Sequence, residues 1–511
     1  MKIRIVIFLL LGTIILNTIN HALVSKALIE ADVWGDKERY QGFYLLEDNS
    51  LDYLVLGSSH TFTALSPMQV YGETGYTGYH LGNPNQPQAL SYYWLKEAYK
   101  TQSPHYVFID VSSLLYTSMR DRDVLEIRGL LYMKPSVNKW NAIKYYKADK
   151  DTFYTLLFPI YGLHSRWADV DLSDFSYKTE KNLLKGAIGI FSRMDTGQSL
   201  TNQEGDATTD FSNIEATETE PEYELYVSAE IETVFRSIYD LCQDNGSILI
   251  PVKFPTKNWT ADQTIAVTSF LDKYDLELLN IASPEALNIN WSLDSFDRGN
   301  HANYFGMTKS TLVFSQYLKD LDNTKEHPED DRYQSWNEDL KEYREWEEQN
   351  LLSMYEQATQ NSANILLPDG IYTITSAGNI RYTVDVMHSK NEGTAHLALN
   401  DGSPDNQHRF MFQSIGNGLY TIKSLDLGQY LTVEHAETDN GGRIILQDYT
   451  GLAIQKWMLL SDSKGRYQLV SLYSGRALNI VDVENDAVSR LQLWELSDSD
   501  TQRFWLTGTD Q

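Results

Sequence analysis

In the stretch Leu54-Val55-Leu56-Gly57-Ser58-Ser59-His60 an apolar run ends in glycine, and two hydroxyls follow where a helix would begin. Glycine permits a tight turn, and the amides of a helix amino terminus favour a developing oxyanion. A serine placed there can act as a nucleophile, although serine is also a good helix cap at that position. Such a nucleophile needs a base, and the base needs a carboxylate to set its tautomer. The segment Asp294-Ser295-Phe296-Asp297-Arg298-Gly299-Asn300-His301 carries both residue types in a polar loop. His60 adjoins Ser59, but successive residues on a helix point about 100° apart. The expected base is therefore His301, with Asp297 as its partner and Asp294 in reserve. The spacing does not match a calcium loop and no second histidine stands near, so neither metal nor cofactor is expected.

These residues need a scaffold that brings position 59 to position 301. The runs Tyr53–Leu56, Tyr106–Asp110, Ser247–Val252 and Leu276–Ile281 are short and continuously apolar, the signature of buried parallel strands. Helical segments such as Ser91–Lys100 and Ser228–Asn245 lie between them, so residues 27–320 read as an α/β layered domain. Residues 197–222 are polar, acidic and poor in large apolar groups, and read as a disordered insertion. At 321–364 acidic and amide residues dominate, while Trp336, Tyr343, Trp346, Leu351 and Tyr355 recur at roughly helical spacing. That predicts a solvated helical linker.

After residue 365 the texture becomes alternating, and a repeat emerges. Phe410, Trp457 and Phe504 stand 47 residues apart, and Leu399, Leu446 and Leu493 keep the same step. So do Val384-Asp385-Val386, Leu431-Thr432-Val433 and Leu478-Asn479-Ile480. A period held at independent positions marks a repeat architecture. Three units are too few for a propeller, so 365–511 is expected to be an all-β threefold closure that completes its own core.

The 511 residues carry a formal charge of -28, which repels phosphate backbones and argues against a nucleic-acid partner. The single cysteine, Cys242, excludes intramolecular disulfides and cysteine-rich zinc sites. At the amino terminus Lys2 and Arg4 precede the apolar run Ile5–Leu16, extended by Ile19, Ala22, Leu23 and Val24. Residues 1–26 are therefore expected to be an uncleaved signal anchor, a transmembrane helix with the remainder outside the cytoplasm, the alternative being a cleaved signal.

The Gly57-Ser58-Ser59 and His301 segments resemble the SGNH/GDSL hydrolase superfamily, in particular its membrane-anchored branch of cell-surface acyltransferases. That branch includes the D-alanylation protein of teichoic acid synthesis and the polysaccharide O-acetylation proteins. The resemblance implies a flavodoxin-like α/β domain with Ser59 as nucleophile and His301 as base. It also implies oxyanion donors from the block Tyr79-His80-Leu81-Gly82-Asn83, with Gly82 in that role and Asn83 as a further donor. The segment 157–167 is similar to the same branch. Asp297 precedes His301 by four residues where the family has three, which keeps Asp294 open as the acid. The carboxy-terminal repeats resemble the ricin-type β-trefoil lectins through Gln455-Lys456-Trp457, Gln502-Arg503-Phe504 and the degenerate His408-Arg409-Phe410. Of the aspartates that hold sugar in that family only Asp385 remains, with Thr432 and Asn479 in the other repeats.

Together these resemblances imply a membrane-anchored, extracytoplasmic acyltransferase or esterase acting on cell-wall polysaccharide or teichoic acid. The alternative is a non-enzymatic, glycan-binding assembly partner of a membrane-bound O-acyltransferase.

Overall fold

The computed structural model describes residues 2–24, 34–117, 127–146, 149–158, 161, 168, 170–176, 181–192, 224–283, 286–322, 331–355, 367–388, 395–400, 406–481 and 490–509. The insertion expected at 197–222 and most of 157–167 lie outside the described residues.

Strands β1 (Tyr53–Gly57), β2 (Gly78–Gly82), β3 (Tyr106–Asp110), β4 (Ile248–Lys253) and β5 (Leu279–Asn280) form a parallel sheet in the order β2-β1-β3-β4-β5. This is the flavodoxin-like order, whose sites lie at the carboxyl edge of the strands. Every residue of β1, β2 and β3 is buried, which explains the unbroken apolar runs. Side chains alternate between two cores. Leu54, Leu56, Val107 and Ile109 pack with Trp94 and Phe235, while Tyr53, Val55 and Phe108 pack with Phe314 and Leu318.

The apolar-run reading omitted β2, because Gly78-Tyr79-His80-Leu81-Gly82 has no β-branched residue. Gly78 is required there, since the Tyr53 ring occupies the space that a Cβ would fill. The strand expected at Leu276–Ile281 shrinks to the edge strand β5.

Helices α1 (Lys2–Val24), α2 (Asp36–Phe43), α3 (Ser59–Ala64), α4 (Pro67–Thr74) and α5 (Gln88–Ala98) lead through the first half of the domain. They are followed by α6 (Ala229–Asp244), α7 (Ala261–Leu271), α8 (Tyr304–Asp322) and α9 (Asp331–Met354), with short helices interspersed. The Ser228 hydroxyl caps α6 by accepting from Ile231 N, and Thr260 with Gln263 forms a capping box on α7. In α1 the apolar side chains of Ile3, Ile5–Leu11 and Ile14–Leu16 are exposed. Among the described residues no helix is long and apolar enough to cross a membrane.

The carboxy-terminal region closes as expected from its repeat. Strands β6 (Gly370–Ser376), β9 (Phe410–Gly416), β10 (Leu419–Ser424), β13 (Trp457–Ser461), β14 (Tyr467–Ser471) and β17 (Phe504–Gly508) pair in a ring, with β17 bonded to both β14 and β6. Three hairpins cap it, formed by β7 (Thr383–His388) with β8 (Ala395–Asn400), β11 (Tyr430–Val433) with β12 (Ile444–Gln447), and β15 (Ala477–Ile480) with β16 (Leu491–Trp494). The repeated apolar positions face each other across those hairpins, as Val384↔Leu399, Leu431↔Leu446 and Leu478↔Leu493. The 47-residue step is thus one hairpin and one pair of barrel strands.

The two domains share a core. Tyr304, Phe305 and Met307 of α8 and Leu351 of α9 belong to the same apolar core as the barrel. The Phe305 and Tyr473 rings lie 5.3 Å apart, and Tyr473 Oη donates to Phe305 O. Helix α9, read from sequence as a solvated linker, is wedged between the domains. Its Asp339 pairs with Lys181 and Lys185 of the α/β domain, and its Glu348 pairs with Lys456 of the barrel. The polar composition of 321–364 concealed this because several of its charges are buried in ion pairs with neighbouring elements.

Candidate active site

Ser59 is the first residue of α3, and Ser58 stands between it and β1 at the N-cap position in an extended conformation, without a side-chain cap bond. A Cβ at Gly57 would overlap Asp110 Cβ and Thr61 Cγ2, so only glycine lets the chain turn there. Ser59 Oγ lies 2.7 Å from His301 Nε2, and His301 Nδ1 lies 2.5 Å from Asp297 Oδ2. Ser59 and His301 are both buried. The network suits the tautomer in which Nδ1–H donates to the carboxylate and Nε2 accepts from the hydroxyl. The serine is thereby set to lose its proton to an oriented imidazole, the arrangement that nucleophilic acyl transfer requires.

The loop explains why a spacing of four residues works. Arg298 (φ 65°) and Gly299 (φ 102°) are left-handed, so the chain turns back on itself. Asp297 Oδ1 accepts from the His301 backbone N–H at 2.7 Å, and Ser295 Oγ accepts from Gly299 N at 2.8 Å. One carboxylate therefore holds both the backbone and the ring of His301. Asp294, the reserve acid, is engaged elsewhere. Its Oδ2 accepts from Lys309 Nζ at 2.7 Å and Asn290 N at 2.8 Å, and its Oδ1 from Thr438 Oγ1 at 2.9 Å.

The imidazole sits in an aromatic box. Phe296 stacks on it with centroids 5.7 Å apart, and the Trp34 ring lies at 5.5 Å. His60 lies 5.1 Å away on another side, with Nε2 3.4 Å from Asn300 Oδ1. Burial holds the His60 pKa well below the usual histidine range, and a proton on the neighbouring His301, like the Lys253 ammonium, presses the same way. Ser58 Oγ donates to Asp110 Oδ2 at 2.8 Å, which separates it from the Ser59 pair.

Gly82 ends β2 opposite Gly57, and a Cβ there would lie 2.8 Å from Gly57 O. Asn83 N donates to Gly57 O at 3.2 Å, and Asn83 Nδ2 donates to Pro84 O at 2.8 Å. Asn83 therefore braces the turn that carries Gly82. Three residues that sequence reasoning missed, Trp34, Asp36 and Arg39, complete the site. Arg39 Nη1 donates to Gly82 O at 3.0 Å and Nε to Trp34 O at 3.1 Å, while its guanidinium lies 3.9 Å from the Phe62 ring centroid. Asp36 pairs with Arg39 and with Arg128. Nothing in the sequence around Trp34 and Arg39 marks them, because they precede β1 and acquire a role only when α2 folds over the sheet edge.

In the barrel domain Asp385 is buried on β7. Its Oδ1 accepts from Thr383 Oγ1 at 3.2 Å and its Oδ2 from Asn400 Nδ2 at 2.9 Å. Residues 404–494 match the family of ricin-type beta-trefoil lectin domain-like proteins. The carboxy-terminal region is a ricin-type β-trefoil lectin domain. In this lectin domain Gln455 Oε1 accepts from Thr450 N and Gln502 Oε1 from Ser497 N, each at 2.8 Å. The glutamines of the repeat ends thus close turns. In the first repeat His408 takes that place.

No curated protein matches the chain. Among solved structures, the designed 3-fold symmetric protein ThreeFoil is 25% identical, with 28% of this chain covering 100% of that chain at a TM-score of 0.26. The Polyporus squamosus lectin, bound to a human-type influenza-binding epitope, is 18% identical over 28% of this chain and 50% of its own, with a TM-score of 0.25. The Macrolepiota procera ricin B-like lectin, in complex with lactose, is 15% identical over 28% of this chain and 100% of its own, also at 0.25.

Proposed function

We propose that this chain is a serine-dependent acyltransferase or esterase of the SGNH type. It acts outside the cytoplasm on ester-linked acyl groups of cell-wall polysaccharide or teichoic acid, while its lectin domain holds the polymer. The reading rests above all on the Ser59–His301–Asp297 alignment, with a hydroxyl, an imidazole and a carboxylate in hydrogen-bonded sequence. Ser59 Oγ attacks the acyl carbonyl as His301 Nε2 takes its proton. The oxyanion is met by the amides of Ser59 and Gly82. Collapse expels the alkoxide, which receives the proton from His301 and leaves an acyl-serine. A glycan hydroxyl or water then gives its proton to His301, attacks the ester and releases Ser59. The acceptor decides between transfer and hydrolysis.

The exposed apolar side chains around α1 support attachment of the amino terminus to a membrane. The lectin resemblance assigns sugar to Asp385, whose buried carboxylate is held by Thr383 and Asn400 and would exchange those bonds for a pair of vicinal hydroxyls. The deciding experiment is release of p-nitrophenol from p-nitrophenyl acetate by the detergent-solubilised full chain. Turnover abolished by Ser59→Ala supports the enzyme. Turnover absent from the parent chain, or retained by Ser59→Ala, removes it in favour of a glycan-binding assembly partner of a membrane-bound O-acyltransferase.

A further inference from the structure

The chain is strongly acidic as a whole, yet the wall beside His301 is basic. Two loops build that wall, 255–260 after β4 and 298–301 before α8, and they are stitched together. Lys257 N donates to Gly299 O at 2.8 Å, and Asn258 Nδ2 donates to Asn300 Oδ1 at 3.3 Å. Lys257 and Arg298 are exposed on this wall. Beneath it Lys253 is buried at the end of β4, its ammonium donating to Phe254 O and lying 4.7 Å from the Trp259 ring centroid. Among the described residues no carboxylate lies within ion-pair distance of any of these three cations; Asp110 acts on Lys253 only through its field. Burial holds the Lys253 pKa down to about 8. An unpaired buried ammonium is costly, so its retention at the edge of a catalytic centre calls for a use.

The remaining groups on the wall suit a sugar. Trp259 and Trp291 are half-buried, and Trp291 packs with Lys257 about Gly299, where a Cβ would lie 3.2 Å from the indole and 2.9 Å from the lysine stem. Aromatic faces cover the apolar side of a pyranose, and the Asn258 and Asn300 amides match its hydroxyls. Lysine and arginine add recognition of a carboxylate or phosphodiester. The location is one loop away from His301, where an acceptor chain must lie if Ser59 is to acylate or deacylate it.

We propose that the wall formed by loops 255–260 and 298–301 is a binding subsite for an anionic glycan chain, separate from the lectin domain. The assignment deepens the acyl-transfer reading and rests on it for the identity of the ligand as substrate.

The test measures tryptophan-fluorescence titration of the full-length Ser59→Ala chain with oligogalacturonate, with its methyl-esterified neutral counterpart and with a glycerol-phosphate oligomer. The expected result is binding of one or both anionic oligomers about tenfold or more tighter than the neutral one, weakened by salt. Lys257→Gln combined with Arg298→Gln should bring that affinity down to the neutral level. Both side chains are exposed, so the fold is retained, and circular dichroism checks it. Equal affinity for charged and neutral oligomers, no binding at all, or anionic binding untouched by the double substitution would each overturn the subsite. Ester turnover is read separately. If it is absent while charge-dependent binding persists, the acyl-transfer reading falls and the subsite stands.

Discussion

Asp294 and Lys309 form a buried ion pair, with Oδ2 and Nζ 2.7 Å apart, on the face of the 294–301 loop that meets the lectin domain. Thr438 of that domain completes the pair by donating to Asp294 Oδ1. The second acid of the loop is therefore a joint between domains, and the acid of the Ser59–His301 pair is Asp297.

Two isosteric substitutions should consequently fail in different ways. Asp297→Asn should leave the unfolding midpoint near that of the parent and reduce ester turnover by about 10⁴-fold, because the imidazole loses its preferred tautomer. Asp294→Asn should destabilise by about 3–5 kcal/mol, since it strands a buried ammonium. Denaturant titration beside a turnover assay distinguishes them, and the opposite pattern would return Asp294 to the triad.

Within the Gly-Ser-Ser turn, Ser59→Ala and His301→Ala should each abolish turnover, and the double variant should be no worse than either single one. Ser58→Ala should cost about 1–3 kcal/mol of stability by removing the donor to Asp110 Oδ2, while an active nucleophile remains. A dead Ser58→Ala with an active Ser59→Ala would shift the nucleophile by one position.

The lectin domain should be weakened by excision. Residues 365–511 alone lack Phe305 and Leu351, which share its core, and leave Tyr473 uncovered. Exposing one such side chain costs roughly 2 kcal/mol. Urea unfolding of the isolated domain should therefore show a lower midpoint than the lectin transition in the whole chain. Matching midpoints would show that the barrel closes its core without help.

Stability should fall on mild acidification. His80 is buried on β2 with Nε2 bonded to Leu65 O, and burial lowers its pKa to about 3. Its folded pKa lies below the unfolded value near 6.5, so the unfolded chain binds the proton more readily. The contribution is complete above about pH 6.5 and is lost as the pH falls toward 3, at about 2 kcal/mol by pH 5. His60 shifts in the same direction and adds to the effect. Unfolding free energies measured between pH 5 and 7 check the slope, and His80→Gln should flatten it. A parent chain equally stable at both ends would contradict the assignment.

The sequence by itself determined what local periodicity and exact repetition encode. Continuous apolar runs marked β1, β3 and β4 because a strand covered on both faces cannot alternate. The 47-residue step marked the threefold barrel because each hairpin repeats the same inward-facing positions. Ser59 and His301 were legible because a Gly-bounded hydroxyl and an imidazole in a polar loop have few structural uses together. Only the tertiary structure decided which acid serves His301, since that depended on the left-handed turn at Arg298 and Gly299 and on Lys309 claiming Asp294. It also decided the roles of Arg39 and Trp34, and of α9 as a wedge between domains. Those are contacts between segments far apart in the chain, and a residue's partner at such range is set by packing, of which composition and spacing carry no record.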